Sequence, residues 1–101
     1  MAVVEISVTP LGTGTPGVSE YVAGAVNILK QSGLKHQLTP MGTIIEGEIE
    51  EIFPVLLQMH LSPFDREAVR VSTLIKIDDR RDRNDHTMEH KVEAVKQHLE
   101  A

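Results

Sequence analysis

Val69-Arg70-Val71-Ser72-Thr73-Leu74-Ile75-Lys76-Ile77 is the stretch that decides the fold. Val69, Val71, Thr73, Ile75 and Ile77 alternate with Arg70, Ser72, Leu74 and Lys76, and a period of two sends the two sets to opposite faces of a strand. One of those faces must be core. A strand cannot be stable alone, so the residues on either side have to supply its partners.

Upstream, from about Glu48, the period changes to 3.6, with Ile49, Ile52, Phe53, Leu56, Met59 and His60 along one helical face. Pro54 is best tolerated in a first turn, so the regular helix is expected from Glu50 or Glu51, and Pro63 should kink or end it. Lys35–Thr39 and Thr43–Gly47 read as two strands joined across Pro40-Met41-Gly42. Before them, Ser19 is placed to cap a helix whose apolar stripe is Val22, Ala25, Val26 and Leu29, and Gly33 supplies its stop. Ala2–Val8 alternates again, Val4, Ile6 and Val8 on one side. Thr9–Gly17, with three glycines and two prolines, is a loop.

Downstream, Asp78–Asp85 is a charged connector. Thr87–Leu99 is a helix on which Met88, Val92, Val95 and Leu99 form a narrow apolar seam. The element order is βαββαβ plus a third helix. That order predicts a single domain over 1–101, an α+β ferredoxin-like sandwich with an antiparallel sheet, helices on one face and an additional C-terminal helix.

The 101 residues include 41% hydrophobic and only 3% aromatic side chains, so valine, isoleucine and leucine must fill the core. With no cysteine there is no disulfide, thiol nucleophile or zinc-thiolate site. No segment approaches the ~20 apolar residues that span a bilayer, and the start carries no basic flank, so the expected setting is cytoplasmic with no membrane partner. A formal charge of −5 argues against nucleic acid and suits a neutral or cationic small ligand.

Glu46 leads the residues that could carry chemistry. It lies in Met41-Gly42-Thr43-Ile44-Ile45-Glu46-Gly47, a short apolar strand in which a lone carboxylate needs a partner. Strand parity puts Thr43 and Glu46 on opposite faces, with Gly42 allowing close approach to the main chain. Arg70 or Lys76 are the expected ion-pair partners of Glu5 or Glu46 if two open sheet faces pack together. An ion-pair layer at such an oligomer interface competes with a ligand site as the explanation of these charges.

The Pro10–Gly17 loop could present hydroxyls and amides to an anion, yet it lacks the lysine and spacing of a phosphate loop. The five histidines do not cluster, so no metal site is expected. Asp78, Asp79, Asp82 and Asp85 are interspersed with Arg80, Arg81 and Arg83 and can satisfy one another. No serine has a readable His and Asp beside it, and no pair of carboxylates is set to face one another. The residues suggest recognition and not catalysis.

Several segments carry a resemblance: Thr9-Pro10-Leu11-Gly12-Thr13, Ser19-Glu20-Tyr21-Val22-Ala23, Ser32-Gly33-Leu34, Pro40 through Gly47, and Arg70 through Asp82. In their order and spacing they resemble the small thiamine-binding protein family related to the YkoF-like domains. The resemblance implies a ferredoxin-like subunit that forms homo-oligomers, dimers paired into tetramers. It also implies binding of thiamine or its hydroxymethylpyrimidine moiety, with no other cofactor and without turnover. Thiamine offers a thiazolium cation and an aminopyrimidine edge. Thr13, Ser19, Gly42, Thr43, Glu46 and Thr73 fall in the matching segments, and the expected roles follow: Glu46 opposes the cation or accepts from the amino group, and the threonines orient the ring. Ala68, Pro54 and Pro63 depart from the family pattern in the scaffold.

Overall fold

Strand β1 (Ala2–Pro10) is an inner strand of a four-stranded antiparallel sheet, and its inward side chains Ala2, Val4 and Ile6 are buried. Val4 and Ile6 are almost wholly excluded from water, and Val4 sits between Ile45 of β3 (Gly42–Gly47) and Ile77 of β4 (Val71–Asp79). With β2 (Lys35–Thr39) outside β3, the strand order is β2-β3-β1-β4. The computed structural model describes residues 1–99.

Two helices cover one face. In α1 (Ser19–Ser32), Ala25 and Leu29 point at the sheet, and Gly33 closes the helix with a left-handed φ of 76°, which glycine adopts without steric cost. In α2 (Ile49–Leu61), Ile52, Leu56 and Met59 do the same. These side chains, with Ala2, Val4, Ile6 and Ile45, form one core. This is the ferredoxin-like arrangement that the element order predicts.

Several boundaries differ from the sequence reading. Val18, not Ser19, occupies the N-cap of α1 and makes no side-chain cap bond; Ser19 is the first helical residue. Helix α2 begins at Ile49, ahead of the start expected from Pro54, and holds that proline inside. Pro54 is on the exposed side, where the carbonyl of Glu50 that loses its intrahelical donor can turn to water. Pro63 lies in a single 3-10 turn, η1 (Ser62–Arg66), directly after α2. Strand β1 runs on to Pro10, and β4 begins at Val71 and takes in Asp78 and Asp79 from the expected connector.

Helix α3 (Met88–Leu99) lands on the other face of the sheet. Thr87 caps it, its Oγ1 accepting the His90 N–H at 3.1 Å. Only the first turn is seated. Met88 is buried, but every residue from Glu89 to Leu99 is exposed.

Candidate ligand-binding site

Register first separates the candidate residues by face. Thr43 pairs with Ile6 on one side and Leu38 on the other, and it points toward the α1–α2 layer, where it is buried. Glu46 pairs with Val3 and Lys35 and points to the opposite face. The thickness of the sheet therefore stands between them, as parity requires.

Glu46 is 6% exposed and has partners within its own chain. Its Oε2 accepts the main-chain N–H of Met88 at 3.2 Å, and the Lys35 Nζ lies 3.6 Å away. Lys35 also meets Glu89 Oε1 at 2.8 Å, and this hydrogen-bonded carboxylate is the main cause that lifts the ammonium above its ordinary 10.5. A second contact holds the same turn, Lys91 to Asp78 at 2.6 Å, which lowers the Asp78 carboxyl. A carboxylate at a helix N-terminus meets unpaired amides and the positive end of the helix dipole. Glu46 thus fastens α3 to the sheet; its ion-pair partner is Lys35, while Arg70 and Lys76 make no ion pair with it.

The other five candidates gather at one end of the sandwich, where β1 finishes and α1, β3 and β4 begin. They do not converge on one point. Ser19 lies on the wall of a groove of about 630 Å³ between α1 and the β2–β3 hairpin, with Val22, Val26 and Leu38 as its apolar lining and Asn27 and Thr39 among its polar groups. Thr39 Oγ1 donates to the Gly42 carbonyl at 2.8 Å and accepts the Gly42 N–H at 3.1 Å, which closes the hairpin beside that groove. Gly42 itself is pressed against β1: a Cβ there would lie 3.0 Å from the Ile6 carbonyl oxygen.

Thr13 belongs to a different, smaller recess of about 180 Å³ with Tyr21 and Arg66, and its hydroxyl donates to the Thr15 carbonyl at 3.0 Å. Thr73 is engaged by His60, whose Nδ1 lies 2.6 Å from the threonine Oγ1, and Phe64 meets the His60 ring edge-on at 5.9 Å. His60 was visible in the sequence only as part of the apolar face of α2; no local signal pairs it with a strand residue thirteen positions on. Asn27 and Thr39 were likewise missed, since only the packing of α1 against the hairpin makes them neighbours. Among the described residues, no group of three His, Cys, Asp or Glu side chains is placed to hold a metal ion, and no helix is long and apolar enough to cross a membrane.

The sequence profile of the family described as "Thiamine-binding protein" matches residues 4–96. The chain belongs to the thiamine-binding protein family. UPF0045 protein YqgV of Bacillus subtilis is 45% identical over 104 residues, covering 99% of both chains. The solved structure of a hypothetical protein, MJ1052, from Methanocaldococcus jannaschii superposes with a TM-score of 0.84 at 35% identity, over 95% of this chain and 96% of that one. A Thermotoga maritima protein described provisionally as a thiamine biosynthesis/salvage protein has a TM-score of 0.75 at 26% identity, over 93% of this chain and 97% of its own. The family and its fold are thereby established for this chain.

Proposed function

We propose that the chain is a non-catalytic, cytoplasmic carrier or sensor of thiamine or its hydroxymethylpyrimidine moiety, bound in the groove between α1 and the β2–β3 hairpin. Family membership over residues 4–96 carries the chemical class of the ligand. The groove supports the location: at about 630 Å³ it is of the size that small-molecule sites occupy, and a few polar groups border an apolar lining. Val22, Val26 and Leu38 would cover the ring faces. Ser19 and Asn27 would meet the aminopyrimidine edge, whose donors and acceptors match a hydroxyl and an amide. Gly42 and Thr43 would support the site from behind through the hairpin, while Thr13 and Thr73 would border the same end of the molecule. Glu46, already bonded to Met88 and Lys35, would act through its hold on α3.

Titration calorimetry with thiamine and with hydroxymethylpyrimidine tests the reading. Saturable heat that Val22→Trp removes, with the thermal melt unchanged, supports it; no saturable signal with either ligand at millimolar concentration ends it.

A second reading is an assembly module without a small ligand. Its observation is the seam Val92, Val95 and Leu99, which is 55%, 59% and 77% exposed on a helix seated only by its first turn. Helices with one apolar stripe are stabilised by burying it. Pairing of open sheet faces and α3 seams would give the dimer of dimers that the resemblance implies. Light scattering that finds a monomer, combined with ligand binding, would leave only the carrier reading.

A further inference from the structure

Lys30 is the one ionised side chain that lines the groove between α1 and the β2–β3 hairpin, and no carboxylate borders it. Glu20, the acidic residue in the first turn of α1, is not part of the lining, and Glu46 lies on the opposite face of the sheet. Lys30 is exposed and makes no ion pair among the described residues. The formal charge of −5 belongs to the surface as a whole. At the groove the local sign is positive, and it is the local field that a bound molecule meets.

That sign ranks the members of the ligand class. Bare thiamine brings a fixed thiazolium cation, for which the groove holds no counter-charge and which Lys30 repels. Hydroxymethylpyrimidine is neutral and gains nothing from the lysine. Its phosphate ester carries a charge of about −1.5 to −2 at neutral pH and three strong acceptor oxygens, which suit an ammonium with three donors and no acceptor. Position agrees with charge. Val26, Asn27 and Lys30 share one stripe of α1, and Asn27 and Lys30 are separated by about 4.5 Å of helix rise. A pyrimidine that covers Val26 and bonds to Asn27 therefore brings a substituent within reach of the long lysine side chain.

We propose that the groove selects the phosphate ester of the hydroxymethylpyrimidine over both the free alcohol and the thiamine cation, and that Lys30 is the specificity-determining residue that reads the phosphate. The proposal rests on the carrier reading above and narrows its ligand. Lys30 also stands in the last turn of α1, where a cation complements the helix dipole. That role needs no ligand and acts on stability alone, so binding measurements separate it from recognition of a phosphate.

Calorimetry on the full chain compares hydroxymethylpyrimidine phosphate, hydroxymethylpyrimidine, thiamine and inorganic phosphate. At low salt the ester should bind about three- to tenfold more tightly than the alcohol, as one charge-assisted contact at an exposed site allows. The ratio should contract between about 0.01 M and about 1 M salt, where the Debye length falls from ~30 to ~3 Å. Lys30→Gln should bring the ratio of ester to alcohol close to one, and Lys30→Glu should place thiamine ahead of the ester, with circular dichroism unchanged in both. Equal affinity of the wild type for ester and alcohol overturns the proposal while leaving the groove reading in place; no saturable heat with any pyrimidine ligand ends both. A ratio that Lys30→Gln does not move, with only the thermal melt shifted, assigns the lysine to the helix dipole and refutes its part in binding. Inorganic phosphate bound as tightly as the ester also refutes it, because the pyrimidine is then not being read.

Discussion

Glu46 and Met88 are forty-two residues apart in the chain and joined by one hydrogen bond, from the helix α3 N-terminal amide to a carboxylate on the open face of the sheet. The bond is buried, and Thr87, Lys35 and Asp78 gather around the same turn. Removing the acceptor should therefore release α3 without opening the core on the other side of the sheet. Glu46→Ala is expected to cost about 1–3 kcal/mol, the penalty for orphaning a buried donor. Amide exchange of residues 89–94 should accelerate by one to two orders of magnitude on that free energy, while Leu29 and Ile52 remain protected. Uniform acceleration through α1 and α2 would show that the carboxylate supports the whole fold.

Acid should have the same local effect. The Asp78 carboxyl is lowered chiefly by its hydrogen bond from Lys91, and that of Glu89 chiefly by its bond from Lys35. A group whose pKa is depressed in the folded state contributes stability above its unfolded value, and that contribution is lost as pH falls through the folded value. The ordinary values are 3.8 and 4.5, so the seating of α3 should be intact at pH 6 and weaken below about pH 4. Following Val92 and Ala94 resonances during an acid titration checks the order of events: they should shift before those of Ile45 and Leu56.

Gly42 has a packing reason to be glycine. An added methyl would meet the Ile6 carbonyl oxygen at 3.0 Å and push β3 away from β1. Gly42→Ala should destabilise by about 1–3 kcal/mol in urea unfolding, as overpacking does. If stability is unchanged but ligand affinity falls, the glycine serves the approach of a ligand instead.

Thr73 and His60 tie the edge strand to the end of α2. Thr73→Val keeps the shape and deletes the hydroxyl, with an expected loss of about 0.5–1.5 kcal/mol. The thermal midpoint and urea midpoint should fall together. In the groove reading the same variant leaves thiamine affinity within twofold by calorimetry, whereas Ser19→Ala lowers it about tenfold, the equivalent of one lost hydrogen bond.

The strands were legible because each needs only its own alternation. Val4 and Ile6 announce a buried side wherever the partners come from, but the face of β4 expected to be core is only partly covered, Ile75 and Ile77 staying 39% and 41% exposed because β4 is an edge strand. The opposition of Thr43 and Glu46 was legible for the same reason, since parity is local. What escaped was non-local. Nothing near Glu46 points to Lys35, which becomes its neighbour only through β2–β3 pairing, or to Met88, which arrives only after α2, η1 and β4. The seam of α3 showed that the helix wants a partner, but a seam carries no information about which face of a sheet it approaches. Ser19 failed as a cap by a single position, because main-chain entry angles are set by the loop before it and not by hydroxyl chemistry. The groove was invisible because its walls, α1 and the hairpin, are each ordinary amphipathic surfaces until they are packed side by side.

Helix α3 spans 12 residues, about 18 Å along its axis, and is held only through its first turn, by Met88, Glu89 and Lys91. It is therefore a lever with its fulcrum at Glu46. A tilt of about 10° at that point swings the side chain of Leu99 through ~3 Å, by the same rise per residue. A change too small to disturb the sheet is thus magnified at the tip, where the apolar seam is most exposed, so the molecule's outline is more responsive to one carboxylate than its interior is.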